Sequence, residues 1–126
     1  MYQVVIEVPE ALPDNSPFQV EVHFAGEIRV PAIVARRRAT GFLGMEVGMM
    51  LLADDPTLVI MDQKPIWRVP ASLYLPGMGK VATVGSIEVN AISGELIRPS
   101  AEQIAEMQDR GDAIAARFTS STAPAG

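Results

Sequence analysis

Residues 66–97 read IWRVPASLYLPGMGKVATVGSIEVNAISGELI. Trp67, Val69, Ala71, Leu73 and Leu75 alternate with Arg68, Ser72 and Tyr74, the period of a strand with one face buried. Pro70 lies inside that run. It removes a ladder donor, so it predicts an edge position or a bulge. Pro76-Gly77-Met78-Gly79 turns the chain, and residues 84–90 return as a second strand. Asn90, Ser93 and Gly94 close it with turn chemistry. The stretch predicts a β-hairpin and a tight closing turn.

Working outward, Leu58-Val59-Ile60-Met61 is a short apolar run, read as a strand. Asp62-Gln63-Lys64-Pro65 turns it toward residue 66. Upstream, residues 33–53 read as one helix. Ala39, Phe42, Leu43, Val47 and Met50 share a face at about 3.6 residues per turn. Gly41, Gly44 and Gly48 gather on another side, and Met45, Met49 and Leu52 on a third. A helix apolar on nearly every side is expected to be buried. Mid-helix glycine costs up to about 1 kcal/mol, so the glycines predict close approach by another backbone. Asp54-Asp55-Pro56 is read as the helix end.

Two more strands are expected at residues 3–8 and 18–24, separated by the Pro-rich loop 9–17. Ile28 and Val30 are expected to pair back as a hairpin. Downstream, Ser100 and Gln103 match a capping box. Ile104, Met107, Gly111, Ile114 and Phe118 then follow at spacings of three and four. That narrow seam predicts a docking helix over 99–118. Residues 119–126 are small and polar and are expected to be disordered. The fold class predicted is α+β: an antiparallel sheet of about five strands packed against one apolar helix, within a domain of residues 1–98, plus the docking C-terminal helix.

Composition narrows function. The chain has 126 residues, a net charge of −5 and no cysteine. Thiolate nucleophiles, disulfides and cysteine-ligated metals are excluded. An acidic chain lacks the basic face of a nucleic-acid binder. Its natural complement is a basic protein partner. Hydrophobic residues make up 48% and charged residues 20%, an apolar surplus that predicts a subunit or partner interface, hence a homo-oligomer. No run approaches the roughly 20 apolar residues of a membrane span, and residues 1–7 lack a basic start. A cytoplasmic location is expected.

Chemistry-bearing motifs are sparse. His23 sits mid-strand with no oriented partner, so it reads as a surface residue rather than a base. Asp54-Asp55 and Asp109-x-x-Asp112 lack the register of a calcium loop. No metal site, catalytic residue or cofactor is predicted. Lys80 after the Gly77/Gly79 turn does not follow phosphate-loop spacing. Arg36-Arg37-Arg38 calls for acidic compensation from Glu27 or Asp55, or from a partner. Glu46 projects into the apolar helix face, where a buried carboxylate needs a cation. Arg68 is the candidate, giving a Glu46–Arg68 buried pair, with Glu46 at the helix rim as the alternative.

The order helix, three strands and Val89-Asn90-Ala91-Ile92-Ser93-Gly94-Glu95-Leu96 resembles the PepSY-type module over residues 36–97, with Asn90 and Ser93 in place of that family's Asp and Thr. The resemblance implies a helix on a curved sheet and an inhibitory or regulatory role. Trp67-Arg68-Val69-Pro70 with Ser100-Ala101-Glu102-Gln103-Ile104 is similar to small acidic partners of toxin nucleases, which implies an antitoxin-like role. The expected function is a non-enzymatic interaction module, with candidate contact residues Gly41, Gly44, Gly48, Ile104, Met107, Ile114 and Phe118. The alternatives are a small-ligand binder with a cavity between helix and sheet, and a small enzyme using a carboxylate such as Glu46.

Overall fold

The computed structural model describes residues 4–6 and 27–122. The expected strand at 18–24 with His23, and the loop at 9–17, lie outside the described residues. The elements are β1 (Val4–Ile6), α1 (Ala32–Phe42), a π-helical turn (Leu43–Val47), β2 (Leu51–Ala53), β3 (Thr57–Met61), β4 (Lys64–Leu75), β5 (Gly79–Asn90), β6 (Leu96–Ile97) and α2 (Ala101–Thr122). One sheet runs β1-β3-β4-β5-β6, and β2 pairs with β4 beyond the end of β3. All these pairs are antiparallel except β1 with β3, which is parallel. The α+β class expected from the sequence is the class observed.

The β4–β5 hairpin is the centre of the fold. Trp67, Val69, Ala71 and Leu73 of β4 and Val84, Ile87 and Val89 of β5 form the core with Ala32, Ala35, Ala39 and Leu43. The alanines recur on one stripe and are small, so α1 lies close to the sheet. Trp67 donates its indole N–H to the Val30 carbonyl at 2.7 Å, satisfying the polar edge of a buried ring.

Pro70 is not at an edge. It sits in the central strand, between Ser86 of β5 and the break that separates β2 from β3. Asp54 donates its backbone N–H to the Pro70 carbonyl at 2.9 Å. The return bond would need the N–H that proline lacks. The ladder is interrupted where the donor is missing.

The helix predicted over 33–53 is three elements. After α1 the backbone widens into the π-helical turn, where the Gly48 N–H reaches back five residues to the Leu43 carbonyl at 2.8 Å. The chain then extends into β2. Met45 and Met49 are 86% and 91% exposed, so the all-round buried helix expected from the pattern is not formed. Leu51-Leu52-Ala53 is strand because β4 offers an open ladder at residues 71–73. Nor does residue 28–30 form a hairpin strand. Arg29 and Val30 instead donate to the Ala91 carbonyl.

Ala91 belongs to the closing turn. Asn90 Oδ1 accepts the N–H groups of Ile92 and Ser93 at 2.8 and 3.0 Å, and Ser93 Oγ accepts that of Glu95. Gly94 has φ +78°, a conformation open to glycine. Its carbonyl accepts Arg38 Nη1. The turn signature is therefore a staple that holds α1 and the segment before it.

The capping box is formed, with Ser100 N–H to Gln103 Oε1 at 2.9 Å and Gln103 N–H to Ser100 Oγ at 3.1 Å. From it α2 runs to Thr122, past the helix end expected at 118. Residues 119–122 contain no breaker, so the helix continues into the stretch expected to be disordered. Residues 123–126 lie outside the described residues.

Candidate functional site

Two side-chain constellations stand out, on opposite faces of the sheet. The first is polar. In β4, Ser72 and Tyr74 alternate with the core residues and share the face turned away from α1. The two irregularities between β4 and β5 bring Thr83 opposite Ser72 and Lys80 opposite Tyr74. Asp54, at the end of β2, reaches the same place. Its carboxylate accepts Ser72 Oγ at 2.5 Å and the Tyr74 hydroxyl at 2.5 Å, and pairs with Lys80 Nζ at 3.0 Å. Ser72 Oγ also meets Thr83 Oγ1 at 3.1 Å.

The electrostatics of this cluster are closed. Burial works against the Asp54 carboxylate, but hydrogen bonds from Ser72, Tyr74 and Lys80 and the Lys80 charge outweigh it and hold the pKa below 3.8. The bond to Asp54 raises Tyr74 above 10.0 and Lys80 above 10.5. A serine nucleophile needs an accepting base and an open approach. Ser72 is fully buried, and it donates to a carboxylate already held in its charged form. The cluster clamps β2 to the far end of the β4–β5 hairpin. Asp54 is therefore not a helix-end cap, because no helix ends there.

The second constellation is a cleft of about 310 Å³ between α2 and the segment that joins the π-helical turn to β2. Leu51 and Leu73 form its floor, Met49 and Met50 one wall, Met107 and Ala115 the other. The walls are tied together by Gln108 Nε2, which donates to the Val47 carbonyl at 3.1 Å. Met107 is buried at 3% exposure over Gly85, where a Cβ would lie 2.6 Å from Met107 Cγ. Arg110 Nη1 adds a bond to the Val84 carbonyl at 3.2 Å. Val84 is the residue the strand irregularity leaves unpaired, so its carbonyl is free for a side chain. These contacts seat α2 on its own chain.

The sequence-named residues divide accordingly. Gly48, Met107 and Gly111 meet at the cleft. Ile104 and Ile114 pack against the core from α2, and Phe118 is half-buried. Gly41 and Gly44 are exposed, with nothing among the described residues within 4 Å of where a Cβ would lie. They take no part in the cleft. The Glu46–Arg68 pair is not formed. The π-helical turn keeps Leu43 and Val47 inside and carries Glu46 to the rim, where Arg98 Nη2 lies 3.4 Å from its carboxylate. Arg68 belongs to the sheet face away from α1 and donates to Met61 Sδ.

The basic run is also partitioned. Arg36 binds Asp55 at 2.8 Å and the Ala53 carbonyl at 3.0 Å, so Asp55 supplies the compensation expected of it. Met49 and Met50 escaped the sequence reading because a helical projection assigned them to a continuing helix. The convergence of Asp54, Ser72, Tyr74, Lys80 and Thr83 left no local signal, since it joins three strands.

Among the described residues no helix is long and apolar enough to cross a membrane, and no three His, Cys, Asp or Glu side chains group as metal ligands. Comparison with family models, curated proteins and solved structures finds no match.

Proposed function

We propose that this protein is a non-enzymatic interaction module that engages another protein through the methionine cleft and its shoulder. The observation that supports this most is the exposure of Met45, Met49 and Met50 at 86%, 91% and 49%, beside a cleft with an apolar floor. Methionine is flexible and polarisable, and it is over-used on surfaces that adapt to partners. Large apolar side chains held in water beside a concave apolar floor mark a contact surface. The resemblance to toxin-nuclease partners makes the role antitoxin-like or regulatory. The same surface is the site at which the protein self-associates when no partner is present. The lack of cysteine suits a reducing compartment such as the cytoplasm.

The test is a photo-reactive residue in place of Met49, with Ser86 as the control position. Crosslinking in the cells that make the protein is expected to give one discrete adduct from position 49. Met45→Lys, introduced into that crosslinking chain, is expected to remove the adduct without moving Tm. No adduct, or equal adducts from both positions, overturns the reading.

A second reading has one observation in its favour. The cleft volume of about 310 Å³ falls at the lower end of small-molecule sites. The cleft lies between α2 and the sheet, not under the apolar helix as the sequence pattern implies. Native mass spectrometry of the purified chain would show a bound ligand as a discrete added mass.

A further inference from the structure

The cleft has a polarity of its own. Among the described residues two carboxylates, Asp109 and Asp112, line it, and no cation does. They lie three residues apart on α2, and so on one side of the helix. Both residues are exposed. Among the described residues neither carboxylate has an ion-pair partner. The other acidic groups nearby are engaged: Glu46 with Arg98 and Glu106 with Arg110. Asp109 and Asp112 therefore stand as open negative charges at the cleft, in a chain of net charge −5.

Strand addition beside the cleft is obstructed. Ala53 would offer an N–H and a carbonyl on the outer edge of β2. The N–H donates to Thr40 Oγ1 at 3.3 Å and the carbonyl accepts Arg36 Nε at 3.0 Å. An incoming strand would find its ladder partners at Ala53 already taken from α1. What stays available is a groove with helix on one side, an apolar floor and one wall of exposed methionines, Met49 and Met50. That geometry accepts side-chain anchors projecting from a helix at i, i+3 or i+4, and i+7.

We infer that the methionine cleft receives an amphipathic helix of a partner protein, its apolar anchors on Leu51, Leu73 and Met107 and its flanking lysine or arginine side chains against Asp109 and Asp112. The inference rests on the reading that this cleft engages a protein, and it names the partner's chemistry. Charge complementarity decides the sign: an acidic flank would face two uncompensated carboxylates, and like-charge juxtaposition is a strong discriminator. The anchors supply affinity and the carboxylates supply orientation and encounter rate.

The test uses the full chain and three fluorescent peptides about four turns long. One has an apolar stripe flanked by Lys and Arg, the second the same stripe flanked by Glu, and the third the composition of the first with the stripe dispersed. Fluorescence anisotropy is expected to show the first binding at least about tenfold tighter than either other peptide, and weakening as salt is raised. Methyl NMR is expected to place the shifts on Met49, Met50 and Met107. Asp109→Asn with Asp112→Asn is expected to bring the basic and acidic peptides to within about twofold of each other. Equal binding of the basic and dispersed peptides overturns the inference, as does equal binding of the basic and acidic ones. Methionine shifts that appear on raising protein concentration alone, with a doubled mass that the basic peptide does not reverse, assign the cleft to a second copy and also overturn it. An adduct from position 49 with no binding of the basic peptide refutes the helix and leaves the broader reading standing.

Discussion

Asp54→Asn is the sharpest single test of how this structure is held. The replacement is nearly isosteric but loses the charge and one acceptor. In the folded protein the carboxylate accepts both Ser72 and Tyr74 at 2.5 Å and Lys80 at 3.0 Å. Its side chain is 16% exposed, so it is only partly screened by water. Hydrogen bonds to a charged acceptor contribute about 1.5–3 kcal/mol each. The amide oxygen retains one of the two hydroxyl donors, so the expected loss is about 2–3 kcal/mol at pH 7. Urea unfolding should show a lower midpoint at an unchanged slope, because the area exposed on unfolding does not change.

The pH dependence gives the test its second arm. The folded protein keeps Asp54 ionised to lower pH than the unfolded chain, whose reference value is 3.8. The unfolded state therefore takes up its proton first as pH falls. The clamp's contribution is full above that value and is lost as pH drops through the lower folded value. The gap between the native protein and Asp54→Asn should be widest near neutrality and should close in acid. At the alkaline end Tyr74 and Lys80, both raised, bind protons more tightly when folded. Their contributions are present below 10.0 and 10.5 and fade as pH rises past those values. A difference under about 0.5 kcal/mol at pH 7, or one that stays constant down to pH 3, would refute the clamp.

Two further substitutions probe the helices. Gly85→Val drives a side chain into Met107. It should cost about 1–3 kcal/mol and speed amide exchange in residues 101–118, with β3 protection intact; unchanged exchange in α2 would show that Gly85 is not its seat. Gly41→Ala, with nothing within 4 Å of the new methyl, should raise stability by about 0.5–1 kcal/mol, read as a higher Tm, and a loss would mean that a second subunit packs there.

Much of the framework was legible in the chain because its signals are local. The alternation of Trp67, Val69, Ala71 and Leu73 needs only the pleat of a strand, and it placed the central hairpin correctly. Ser100 and Gln103 lie three residues apart, and their box formed as written. Asn90, Ser93 and Gly94 carry turn chemistry within six residues. The capacity of residues 39–53 to form a helix was equally visible, and there the local signal misled. Helical periodicity in Met49, Met50, Leu51 and Leu52 cannot register that β4 has a free ladder at residues 71–73, and pairing with it outweighs continued helix.

What the tertiary structure alone decided depends on residues far apart in sequence. Pro70 is compatible with a central strand because Asp54 stands at the break opposite it. Asp54 acquires three partners only once β2, β4 and β5 lie side by side. Glu46 turns to Arg98 rather than Arg68 because the π-helical turn changes which side faces inward. Met107 covers Gly85, and Arg110 reaches the Val84 carbonyl, only once α2 lies on β5. The sequence by itself determined the α+β class, the hairpin, the Ser100 capping box and the acidic, cysteine-free character. The packing of those elements decided which apolar side chains are core and which are left as a surface, since burial is a property of the assembled whole and not of any one segment.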